Sequence, residues 1–130
     1  MNEKAIEIFY KSVHVNLTTF ENDYPVTRAM VNLGIDSEYI YLNTNKLSRK
    51  VTQILDNKKV SVYTYLDAMS SVTFYGYASI ETDIELKKKF WNDAKLKYFT
   101  GPEDDNYVII KIKVKRIRLD SNGTLQEVVI

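Results

Sequence analysis

Two short stretches place cations where they could do chemistry. Ser48-Arg49-Lys50 sets a hydroxyl beside two cations, with Thr44 and Asn45 just upstream. Leu47, Val51, Ile54 and Leu55 then recur at i, i+4, i+7 and i+8, the apolar stripe of an amphipathic helix. The cluster therefore falls at a helix N-terminus, where backbone N–H groups lack intrahelical acceptors and the dipole is positive. Anions bind such ends, and cations and hydroxyls in the same turn add charge-assisted hydrogen bonds. A basic first turn is also ordinary surface decoration. Arg28 strengthens the anion reading. It stands mid-strand in Thr27-Arg28-Ala29-Met30-Val31 and shares a face with Val26 and Met30. A cation there needs a partner, which is either a structural carboxylate or a ligand's anion.

Other chemistry is excluded by what the chain lacks. There is no cysteine and one histidine, His14, so thiolate catalysis, sulfur-based zinc sites and multi-histidine metal centres are ruled out. Four glycines form no phosphate loop or dinucleotide fingerprint. Glu103-Asp104-Asp105 lacks the spacing of a calcium loop and reads as a solvated turn. A net charge of +1 gives no global pull toward nucleic acid or anionic lipid, and no run approaches the ~20 apolar residues of a membrane span. With 45% hydrophobic and 27% charged residues, the composition is that of a globular protein. The expectation is one domain over residues 1–130, soluble and cytoplasmic, with no nucleic-acid or membrane partner.

The elements that must position the cations follow from periodicity. Residues 3–11 read as a helix. Val13, Val15, Leu17 and Thr19 alternate with polar residues as in a strand, and the turn at 21–24 leads to a second strand near 25–33. Residues 34–37 turn into a third strand at 38–44. Asn45 is the expected N-cap of the helix that follows. Strands at 60–66 and 72–80 come next, with Gly76 marking a bulge or a close backbone approach. Thr82 and Glu85 form a capping box for a helix carrying Leu86, Phe90 and Ala94 inward, with Lys87-Lys88-Lys89 on its solvated side. A long strand at 107–119 and a last one at 125–130 complete the set. In the long strand the apolar phase slips from Ile110, Ile112 and Val114 to Ile117 and Leu119, which predicts a bulge near Lys115-Arg116. The fold class is mainly β: an antiparallel barrel of six to seven strands with a few helices.

Several of these segments resemble one family in order and spacing. They are Arg28-Ala29-Met30-Val31, Asn43-Thr44, Ser48-Arg49-Lys50 leading to Gln53-Ile54, and Asn57-Lys58-Lys59-Val60-Ser61-Val62. Together they resemble the FMN-binding core of the pyridoxamine 5'-phosphate oxidase superfamily. Phe74-Tyr75-Gly76-Tyr77-Ala78, Phe90-Trp91 and Tyr98-Phe99-Thr100-Gly101-Pro102 resemble its general stress protein 26 branch. The likeness spans about residues 13–120. It implies a split-barrel homodimer with FMN at the subunit interface. It also implies a phosphate among Arg28, Ser48, Arg49 and Lys50, with Thr44 nearby. The backbone from Arg28 through Ala29 and Met30 to Val31 would line the isoalloxazine edge, with Asn43 beside it. Ser71 holds the position where the oxidases proper carry a glutamine. Leu33 replaces a lysine of those oxidases, Leu119-Asp120 replaces a tryptophan-containing pair, and no Arg-Leu-His-Asp-Arg type substrate motif occurs.

The expected function is an FMN-binding flavoprotein and oxidoreductase acting on an unidentified small molecule, without the vitamin B6 substrate site. No catalytic acid or base stands out. The alternative is a non-catalytic FMN-binding or flavin-buffering stress protein. A nucleic-acid-binding barrel using Lys111, Lys113, Lys115, Arg116 and Arg118 is a distant third, and a haem site would have only His14 as imidazole ligand.

Overall fold

The computed structural model describes all 130 residues. Helix α1 (Glu3–Lys11) is capped by the Asn2 side chain, which accepts the Ala5 N–H at 3.1 Å. Strands β1 (His14–Glu21), β2 (Tyr24–Val31), β3 (Gly34–Ile35) and β4 (Tyr39–Asn45) follow. Next come helix α2 (Arg49–Asp56), β5 (Lys59–Asp67), β6 (Ser70–Glu81), helix α3 (Ile84–Lys89) and a 3-10 turn at Asp93–Lys97. The hairpin β7 (Tyr107–Ser121) and β8 (Thr124–Val129) closes the chain. All pairings are antiparallel, in the order β2-β1-β5-β6-β7-β4-β3, with β8 on the free flank of the later half of β7. The class is the expected one. The strands number eight because Gly34 and Ile35, expected in a turn, are buried and pair with Tyr41 and Ile40.

Inward residues alternate along every central strand and fill one core. Val15 and Leu17 meet Val60 and Val62, Phe74, Ile110, Ile112 and Val114, while α1 plugs one end with Ala5, Ile8 and Phe9. Phe9 stands edge-on to Phe74 at 6.1 Å between ring centres, a favourable aromatic geometry. A smaller core lies outside β4 and β7. There Tyr41, Phe99, Tyr107 and Ile109 pack beneath α3, Phe90 and Trp91.

The phase slip in the long strand is a bulge, as its pattern predicts. Tyr75 pairs with Arg116 but Gly76 pairs with Val114, so Lys115 is the extra residue and Ile117 and Leu119 return to the core. Gly76 faces this point, and a Cβ there would lie 2.0 Å from the Lys113 carbonyl oxygen.

Other expectations are corrected. Asn45 ends β4, and its side chain accepts the Leu47 N–H at 2.8 Å; the N-cap position of α2 belongs to Ser48. The helix therefore starts two residues after Leu47. Leu47 and Leu55 are exposed, and the buried arc is Val51, Gln53 and Ile54. Helix α3 is capped by Asp83, one residue past Thr82, through a 3.1 Å bond from the Leu86 N–H. It ends before Phe90, which leaves Ala94 exposed in the 3-10 turn. Lys87 is buried, not solvated. Its ammonium donates to the Asp104 carbonyl at 3.0 Å and lies 5.6 Å from the Tyr107 ring centre, so loop and ring replace water around it.

Two tyrosines of the smaller core give the fold an alkaline limit. Burial, then a 2.9 Å bond from its hydroxyl to Asp36, pushes Tyr41 up to about 12. Burial pushes Tyr107 up to about 12 as well. Folding thus favours the protonated phenols, so stability is full below the ordinary tyrosine range near ~10 and is lost as pH rises toward ~12. Urea midpoints should fall through that window, less steeply in Tyr107→Phe; a flat profile would contradict this.

What positions the candidate site is an opening in the barrel. β2 ends the sheet on one side, and β4 has no strand beside Leu42–Asn45 opposite β7. These two edges approach without pairing, and α2 begins at the end of the split.

Candidate functional site

Arg28 projects from the inner face of β2 at the open edge, where its rung on β1 is Leu17. Its guanidinium donates to the Leu17 carbonyl at 3.2 Å, Thr19 Oγ1 at 2.8 Å and Gln53 Oε1 at 2.9 Å. Gln53 reaches this point because it lies three and four residues beyond Lys50 and Arg49, on the inward face of α2. Its Oε1 also accepts from Thr19 at 2.5 Å, and its Nε2 donates to Glu21 Oε2 at 2.6 Å. From the other edge, Thr44 of β4 shares a 3.2 Å hydrogen bond with Ser48 Oγ and accepts from Lys50 Nζ at 3.0 Å. Glu21, Val26, Arg28, Arg49, Lys50 and Gln53 line one hollow of about 390 Å³.

The hollow is electrostatically incomplete. Burial lowers the Arg28 guanidinium from its usual range. Burial, and then the charge on Arg28, lowers the Lys50 ammonium. Yet every acceptor of these two cations is neutral. The ion pairs of the chain are Lys4–Glu7, Lys11–Glu7, Arg49–Glu21 and Lys113–Glu38, so the structural carboxylate considered for Arg28 is absent. Ser48 does not cap α2 with its side chain, which leaves the first-turn N–H groups without that acceptor. Two half-buried like charges beside a helix N-terminus can hold an anion, and its charge would offset their mutual repulsion and their desolvation.

Of the residues singled out by sequence, Arg28, Thr44, Ser48 and Lys50 come together here. Arg49 borders the hollow but turns away: it is 83% exposed and bonds both Glu21 oxygens, at 2.7 and 3.0 Å. Met30 points into the core, while Ala29 and Val31 face outward. Asn43 lies on the outer side of β4 opposite Ile109. Ser71 is on β6, three strands from β2, at the rung of Tyr65 and Asp120; a single chain does not bring it to the cations. Thr19, Glu21 and Gln53 were missed as site residues. The signal for Gln53 was a polar residue inside an apolar stripe, at i+3 and i+4 from the two cations.

Comparison with known proteins agrees with this architecture. The chain is 28% identical over 127 residues to general stress protein 26 of Bacillus subtilis, covering 95% of this chain and 90% of that one. The crystal structure of general stress protein 26 from Bacillus anthracis superposes with a TM-score of 0.86 at 32% identity, over 98% of this chain and 97% of that one. A Clostridium acetobutylicum protein related to general stress protein 26 superposes at 0.84 with 25% identity, over 100% and 97%. The sequence model of pyridoxamine 5'-phosphate oxidase matches residues 1–120, which include both edges of the split and every residue of the cationic hollow. The fold, the relatives and this match agree: the chain belongs to the pyridoxamine 5'-phosphate oxidase family.

Proposed function

We propose that this chain binds FMN in the split, with the phosphate between Arg28, Lys50, Thr44 and Ser48, and serves as a flavin-dependent oxidoreductase for a small molecule. The observation that carries the reading is the pair of half-buried cations without a carboxylate partner. A phosphate monoester brings about −1.5 to −2 charges, and would meet hydroxyls and helix N–H groups as well. The unpaired edges of β2 and β4 support the ring: their free backbone groups suit a planar heterocycle with alternating donors and acceptors. Bound there, the flavin would supply hydride or electron transfer, and the protein would orient and shield it.

Titration with FMN and with riboflavin tests this. FMN should bind at least about 100-fold more tightly, since two charge-assisted hydrogen bonds at roughly 1.5 kcal/mol each are absent for riboflavin. Equal affinities would overturn the reading. A non-catalytic role remains the second reading, because no histidine lines the hollow and Glu21, its one carboxylate, is engaged by Arg49 and Gln53. Consumption of NADH or NADPH with added acceptors separates the two.

The active form proposed is a homodimer. The outer face of the sheet leaves Tyr63, Tyr65 and Tyr77 exposed, with Arg116 stacked 4.3 Å from the Tyr75 ring centre, and aromatics with arginine are enriched in interfaces. Sedimentation at micromolar concentration with FMN present should give a dimer of about twice the 15.2 kDa chain. A folded monomer that binds FMN tightly would count against it.

A further inference from the structure

Arg49 borders two hollows of opposite character. One is the cationic hollow, where Arg28 and Lys50 face the single carboxylate Glu21 at its border; the other shares Glu21 and Gln53 with it and adds Asp23 and Asp56. In the structure Arg49 is committed to the acidic side through its two bonds to Glu21. Glu21 is itself positioned: it ends β1, and Gln53 Nε2 holds its Oε2 at 2.6 Å while Gln53 Oε1 holds Arg28. The carboxylate is thus wired to the anion hollow through one amide and competes for a cation at its mouth.

Exposed ion pairs are weak, and Arg49 is 83% exposed with Glu21 its one polar tie, so the pair is free to exchange. A doubly charged phosphate between Arg28 and Lys50 would draw the guanidinium across by Coulomb attraction and offer it the bidentate geometry it prefers. We propose that Glu21 sets the affinity of the phosphate site by holding Arg49 outside it, so that a bound phosphate must take Arg49 from Glu21. This rests on the FMN reading above. It assigns Glu21 a positioning role, acting through Arg49.

The test is a cycle of four proteins, wild type, Glu21→Gln, Arg49→Ala and the double variant, each titrated with FMN and with riboflavin at neutral pH. Glutamine keeps an acceptor for Gln53 and removes the charge. Glu21→Gln should tighten FMN binding roughly three- to tenfold, because the released Arg49 joins the phosphate. Arg49→Ala should cost less than about threefold in the wild type but about tenfold or more in the Glu21→Gln background. Riboflavin affinity should be the same in all four. Equal costs of Arg49→Ala in both backgrounds, or weaker FMN binding in Glu21→Gln, would overturn the role of Glu21 while leaving the site standing. Wild-type protein that does not distinguish FMN from riboflavin would remove both.

Discussion

Lys50→Ala should weaken FMN binding at least tenfold while the barrel stays folded. One charge-assisted hydrogen bond contributes roughly 1.5–3 kcal/mol, and 1.4 kcal/mol is a factor of ten. The side chain is half-buried and its one partner is Thr44 Oγ1, which keeps Ser48 as a partner when the ammonium is gone. Arg28→Ala should cost FMN binding more, and stability as well, because the guanidinium ties Leu17, Thr19 and Gln53 across three elements. Riboflavin should be nearly indifferent to Lys50→Ala. The stability of the flavin-free protein carries a second, opposite sign. Burial and Arg28 lower the Lys50 ammonium, so folding disfavours its charged form; that cost is full below the lowered value and is gone once pH passes the ordinary lysine range near ~10.4. Without flavin, Lys50→Met should therefore unfold at a urea concentration equal to or above that of the wild type. A cation retained against stability is what a binding site requires. Fluorescence-quenching titrations and urea midpoints read both effects. Unchanged FMN affinity in both the Lys50 and Arg28 variants would show that the phosphate is held elsewhere.

Much of this arrangement was legible in the sequence because it is local. Strand alternation, the hairpin between β1 and β2, the helix after β4 and the bulge in β7 all follow from spacing within a dozen residues. The cluster Thr44, Ser48 and Lys50 is also local, and the turn from β4 into α2 brings it together. What was not legible is tertiary. Leu47 and Leu55 satisfy a helical stripe, but Lys46 and Leu47 form a turn before the extended Ser48, so the helix starts later and the buried arc rotates onto Gln53. Lys87 sits in a run of three lysines, and only the fold brings the Asp104 carbonyl to its ammonium across seventeen residues. The choice of Glu21 over the hollow by Arg49 spans 28 residues and depends on where β1 ends, which no spacing rule encodes. Arg28 shows the reverse case: its mid-strand charge stands out in the sequence, but whether a carboxylate meets it is decided only by the ion pairs the fold makes.

Gly76→Ala should destabilise the fold by at least about 2 kcal/mol, the scale of forced overpacking in a dense core. The added methyl would stand 2.0 Å from the Lys113 carbonyl oxygen and 2.9 Å from its carbon, and both are backbone atoms that no rotamer change can move aside. β6 and β7 would have to separate at the bulge, the feature that returns Ile117 and Leu119 to the core after the phase slip. Loss of register there would turn a buried isoleucine toward solvent, so the penalty is not confined to one contact. Two comparisons calibrate the effect. Phe74→Ala, two residues away on the same face, should cost roughly 3–5 kcal/mol through loss of a fully buried ring. Gly101→Ala should be near neutral or mildly stabilising, since a Cβ there meets nothing within 4 Å and the alanine restricts the unfolded chain. Urea unfolding of the three variants orders them: Gly101→Ala at or above wild type, Gly76→Ala well below, Phe74→Ala lowest or level with it. A Gly76→Ala protein with a wild-type midpoint would mean that β6 and β7 do not approach as closely at the bulge as described, and that the register of Ile117 and Leu119 rests on their own burial alone.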